Sequence, residues 1–156
     1  MNPILLTGAV AWLLSQVSKA IIYLIINKRF QWDRLFGDGG MPSSHSATVT
    51  SVAVITGLRC GLDSPIFAIA AILALIVMHD AMGVRQETGK QAKVINSMVE
   101  LINSFGRGEL TPEETLKEFV GHTRRQVVVG AVLGGVIALV MNGIVPQCKT
   151  LWDYKS

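Results

Sequence analysis

Four apolar blocks dominate the chain, and they restrict its fold more than any other feature. Residues 4–26 form the first, interrupted by Ser15, Gln16, Ser18 and Lys19; residues 46–58, 65–78 and 127–145 form the others. A helix that crosses a bilayer needs roughly 17–25 residues. The first and last blocks reach that length by themselves. The middle pair reach it once their polar ends, from Ser43 and Ser64, are counted as interfacial turns. The expected fold is therefore all-α: a polytopic membrane helix bundle of about four transmembrane helices. Hydrophobic residues make up 50% of the chain and charged residues only 16%, a balance that excludes an ordinary soluble domain. No repeat or low-complexity tract divides the chain, so residues 1–156 are read as one integral-membrane domain. The N-terminus lacks a basic segment and its apolar run continues past any cleavage site, so residues 1–26 are expected to be a retained helix.

The distribution of basic residues says more than the net charge of +3. The segment before the first block has none, and the loop after it has Lys28, Arg29 and Arg34. The second loop has only Arg59. The third has Arg85, Lys90, Lys93, Arg107, Lys117, Arg124 and Arg125. The positive-inside rule then places the first and third loops in the cytoplasm and both termini outside, in a protein of the cell membrane. No recognition helix accompanies these charges, and nucleic acid is not an expected partner.

Small residues recur at helical spacing: Gly130 with Gly134, Ala131 with Gly135, and Ala70 with Ala74. Such faces let membrane helices approach closely; the result is a compact bundle, compatible with a homodimer. In the long third loop, residues 91–104 carry a wide apolar face that predicts a short interfacial helix. Thr111, Pro112 and Glu114 predict the start of a second, ending near Gly121. Cys60 and Cys148 have no metal-ligand spacing and are read as two free thiols, with a disulfide as the alternative.

Three motifs carry chemistry. Gly39-Gly40-Met41-Pro42-Ser43-Ser44-His45-Ser46-Ala47 enters the second span, where glycines permit close backbone approach and Ser43 or Ser44 can cap a helix. The unpaired N–H groups and dipole of that helix start favour an anion, and its hydroxyls and imidazole add donors. Gly121-His122-Thr123-Arg124-Arg125-Gln126 opens the last span, with Thr123 and Gln126 at capping-box spacing. His79-Asp80-Ala81-Met82-Gly83-Val84-Arg85-Gln86-Glu87-Thr88-Gly89 ends the third span and sets Asp80 and Arg85 toward the other two motifs. Lys19, inside the first block, either snorkels to the interface or turns inward as a cation for phosphate. Two helix starts with histidines, a lysine and an arginine on one membrane face form the set that phosphoryl transfer needs.

These motifs resemble the divergent branch of the type 2 phosphatidic acid phosphatase superfamily, the acid phosphatase/vanadium-dependent haloperoxidase-related family. The likeness is carried by Gly40-Met41-Pro42-Ser43-Ser44-His45-Ser46-Ala47, by Asp80-Ala81-Met82-Gly83-Val84-Arg85 with Gly89 and Ala92, and by Gly121-His122-Thr123 with Gln126 and Val127. It implies a metal-independent lipid-phosphate phosphatase with no cofactor, whose partners are the membrane lipid and a lipid phosphate substrate. His122 would be the nucleophile and His45 the general acid. Lys19, Arg85, Gly40, Ser43 and Ser44 would bind the phosphate, and Thr123, Gln126 and Glu118 would support them. The superfamily's middle motif is Pro-Ser-Gly-His, and Ser44 replaces its glycine. In its last motif Gln126 stands where an orienting Asp belongs, and the Ser-Arg pair is missing, with Leu116 six residues before His122. The first motif is absent, with Lys28 and Arg34 one residue too close and Leu35 in place of proline. Asp80 or Glu118 is then expected to supply the missing carboxylate. Two other expectations compete: a silent membrane protein that binds an anionic head group or a partner, and a metal-dependent hydrolase using Asp80, Glu87, His45 and His122.

Overall fold

The computed structural model describes residues 2–28, 40–105, 116 and 122–146, the side chains of Asn27, Arg85 and Gln86 excepted. Five helices account for nearly all of them: α1 Pro3–Asn27, α2 Ser44–Cys60, α3 Pro65–Met82, α4 Val84–Ser104 and α5 Arg124–Ile144. No strand occurs among the described residues.

The helix starts follow from local chemistry. Asn2 Oδ1 accepts the Ile4 N–H at 2.9 Å, with Pro3 at the first helical position. Ser43 caps α2 and Ser64 caps α3, each accepting an N–H three residues on. Thr123 and Gln126 close a reciprocal capping box at the head of α5. α1 ends where Lys28 takes a left-handed conformation at φ 52°.

The runs Pro3–Ile26 and Arg124–Ile144, together with α3, are long and apolar enough to cross a membrane. α2 is shorter, at 17 residues, and packs against α1, α3 and α5 as the hub of the bundle. Its neighbours come so close that side chains are excluded. A methyl group on Gly130 would run into the Ser43 carbonyl, and one on Gly134 into the Ala47 carbonyl. Ala70 and Ala74 of α3 are buried with Ala53 of α2, as their spacing predicts. Gly135, by contrast, faces open space, so the Ala131–Gly135 pair does not form a contact face. At the end of the bundle away from the histidines, the Arg59 guanidinium donates through Nη2 to the carbonyls of Asn142 (3.0 Å) and Val145 (2.6 Å) and caps α5.

The third loop departs from expectation. The helix expected over residues 91–104 begins at Val84, not near Gln91, and is separated from α3 by Gly83 alone. The Gly83 N–H bonds the carbonyls of His79 and Asp80, while its own carbonyl accepts the Glu87 N–H, so one residue closes α3 and opens α4. The polar stretch 85–90 hid this helix from an argument based on apolar periodicity. The second helix expected from Thr111 to Gly121 lies outside the described residues, save Leu116, which is not helical. Its backbone pairs with the Asn96 amide, Nδ2 to the carbonyl at 3.0 Å and N–H to Oδ1 at 3.3 Å. Cys60 is a free thiol; Cys148 lies outside the described residues.

Candidate functional site

One end of the bundle gathers the start of α2, the start of α5, the end of α3 and the last turns of α1. Two backbone bonds lock these elements together: Ser43 N–H to the Gln126 carbonyl at 3.1 Å, and His122 N–H to the Ala81 carbonyl at 3.0 Å. Each ties a motif residue to a different helix, so the three motifs meet because their backbones are paired.

The two imidazoles face one another there. The ring centroids of His45 and His122 are 6.2 Å apart, with planes tilted by 57°. A single phosphoryl group between them can touch both. His122 is 2% exposed and His45 half-buried. His122 Nδ1 lies 3.3 Å from Gln126 Oε1, and the same oxygen accepts the Thr123 N–H at 2.9 Å.

Lys19 turns inward. It is 5% exposed, and its Nζ donates to Ser44 Oγ at 3.1 Å. The Lys19 stem runs beneath Gly40, where the backbone holds φ at +96°, a conformation suited to glycine. Ser43, Ser44 and Ser46 are all buried; Ser46 Oγ donates to Ser43 Oγ at 3.0 Å. The Lys19 ammonium, the Ser43 and Ser44 hydroxyls and the first amides of α2 are thus gathered at the helix start that carries His45, an arrangement suited to a tetrahedral anion.

Asp80 is half-buried on the last turn of α3, next to Ala81, and lines an apolar groove between α3 and α5. Arg85 stands in the first turn of α4, but its side chain lies outside those described, and Glu118 lies outside the described residues. His79 is exposed. Glu87 is exposed and pairs with Lys90 at 2.6 Å. Among the described residues no three His, Cys, Asp or Glu side chains are grouped to hold a metal ion, so the metal-dependent set is not assembled.

Gln16 went unassigned in the motif reading. It is 7% exposed, one turn before Lys19 on the same face, and its Oε1 has no hydrogen-bond partner among the described residues. Its sequence signal was polarity inside an apolar block, which it shared with Ser15 and Ser18.

Residues 1–137 match the Divergent PAP2 family. The uncharacterized membrane protein YuiD of Bacillus subtilis (strain 168) is 39% identical over 145 residues, which cover 88% of this chain and 92% of that protein. No solved structure matches.

Proposed function

The chain belongs to the divergent PAP2 family, and from that membership we propose that this membrane protein hydrolyses a phosphate monoester or pyrophosphate of a lipid through a phosphohistidine. The observation that carries the reading is the His45–His122 pair beside the inward-turned Lys19.

The tautomer of His122 follows from the capping box. The Thr123 N–H can only donate, so the Gln126 atom beside it is the carbonyl oxygen. The same oxygen near Nδ1 requires the proton on Nδ1, which puts the lone pair on Nε2, the nitrogen assigned the attack. Attack forms an Nε2–P bond and breaks the P–O bond to the lipid. The leaving oxygen takes the proton of His45. Water then attacks phosphorus, His45 takes a proton from it, the N–P bond breaks, and both imidazoles return to their starting forms. Lys19, the Ser44 hydroxyl and the α2 amides offset the charge on the phosphoryl oxygens, joined by the Arg85 cation from the head of α4. Asp80 is assigned the role of offsetting the imidazolium that forms on His122.

The distribution of basic residues supports a site on the cytoplasmic face, with both termini outside. Such a position suits a lipid phosphate made on that face.

A second reading has its own support: the partner of His122 Nδ1 is a neutral amide where the superfamily pattern has a carboxylate. A protein that binds an anionic head group without turnover would tolerate that change. One experiment separates the two. Purified protein is given phosphatidic acid, phosphatidylglycerol phosphate and a polyprenyl pyrophosphate, with His122→Ala and His45→Ala alongside. Phosphate release that both variants abolish supports the phosphatase; binding of the same lipids without release supports the silent protein.

A further inference from the structure

Beside the histidine pair, the outer faces of α3 and α5 diverge around a groove of about 810 Å³. Its walls are Leu75, Ile76 and Met78 on one side and Val128, Ala131 and Val132 on the other. Its volume and its mostly apolar lining with a few polar groups at one end are those of a small-molecule site. The polar groups are His79 and Asp80.

We infer that this groove seats the hydrocarbon chain of the same lipid whose phosphate lies between His45 and His122, so that substrate enters sideways from the bilayer between α3 and α5. The inference rests on the phosphate-binding part of the function proposed above. Continuity is its support. Asp80 and Met82 line the groove, and the residue between them, Ala81, accepts the His122 N–H. On the opposite wall the lining begins at Val127, the neighbour of Gln126. The groove therefore starts where the phosphate site ends. From Met82 to Leu75 it runs seven helical residues, about 10 Å, into the apolar span. Neither His45 nor His122 lines it, and its walls are mostly apolar, so it suits the chain and not the head group. Its wall residues are of the kind that face hydrocarbon: Leu75 is 65% exposed and Val132 63%.

Two measurements test this. In the first, the protein in phosphatidylcholine nanodiscs is photolabelled with phosphatidic acid that carries a diazirine on its chain. Labels are expected on residues 75–82 and 127–132, displaced by excess dioleoyl phosphatidic acid but not by added phosphatidylcholine. Labels elsewhere, or equal displacement by phosphatidylcholine, would show that only bulk lipid fills the groove and would overturn the inference. In the second, the double variant Val128→Trp with Ala131→Phe fills the groove from its lipid-facing side. The ratio of kcat/KM for dioleoyl phosphatidic acid to that for phenyl phosphate should fall at least tenfold. Val136→Trp, an equal bulk on the same helix beyond the groove, should leave the ratio at its wild-type value. An unchanged ratio in the double variant overturns the inference. Specific labelling by a protein that turns over none of these substrates would instead overturn the phosphatase reading and leave the groove standing.

Discussion

Lys19 Nζ donates to Ser44 Oγ across 3.1 Å, tying a buried cation on α1 to the first residue of α2. The contact joins residues 25 apart in sequence and puts a positive charge where the α2 dipole already favours an anion. Lys19→Met should therefore raise KM for a lipid phosphate, and the inhibition constant for inorganic phosphate, at least tenfold. Its thermal midpoint in detergent should hold or rise, because an apolar chain of similar length replaces a buried charge. Unchanged KM and phosphate inhibition would reduce Lys19 to a structural role.

Gln126 orients His122 without neutralising it. Gln126→Leu removes the acceptor that keeps the proton on Nδ1, and kcat should fall by about 10²–10⁴, the scale seen when a catalytic imidazole loses its orienting partner. Gln126→Glu keeps the acceptor and adds charge, and should retain or raise the rate of phosphohistidine formation in a rapid-quench assay. A lower rate in Gln126→Glu would mean that a neutral partner is required.

The pH profile of kcat/KM should be bell-shaped. In the proposed mechanism His122 attacks as the neutral base, so its protonation would remove activity on the acid side. His45 donates as the cation, so its deprotonation removes activity on the alkaline side. His45→Ala should abolish the alkaline limb and keep the acid limb. Its defect should shrink with p-nitrophenyl phosphate, whose leaving group needs no proton. An alkaline limb that persists in His45→Ala would assign the acid to another residue.

Close backbone contact holds α5 to α2. Gly134→Ala forces a methyl group against the Ala47 backbone and should cost about 1–3 kcal/mol, read as a lower thermal midpoint in detergent. Gly135→Ala, one position along and facing open space, is the control and should change little. Equal effects at both positions would show that glycine matters here for the helix and not for the interface.

Sidedness is open to a thiol probe. Cys60 is free and ends α2 at the pole opposite the histidines. In a Cys148→Ser background, a membrane-impermeant maleimide should label Cys60 in intact cells. Labelling only after permeabilisation would invert the assigned topology.

Much of the architecture is legible in the chain because it rests on local rules. Apolar length marks the spans, and Asn2, Ser43, Ser64 and Thr123 cap their helices through bonds to residues two or three positions away. The Gly130–Gly134 face is readable for the same reason. α4 shows the limit: residues 85–90 are helical although they carry no apolar residue to mark a buried face, and Gly83 lets a helix restart at the end of α3.

The sequence alone therefore determined an all-α membrane bundle, its family likeness and the motifs around His45, Asp80 and His122. Only the tertiary structure decided that Lys19 points inward, that Gln126 takes the Nδ1 side of His122 and that a groove opens beside Asp80. These last depend on pairings between distant segments, Ser43 with Gln126 and His122 with Ala81, and no local rule of spacing or propensity encodes which backbones will meet.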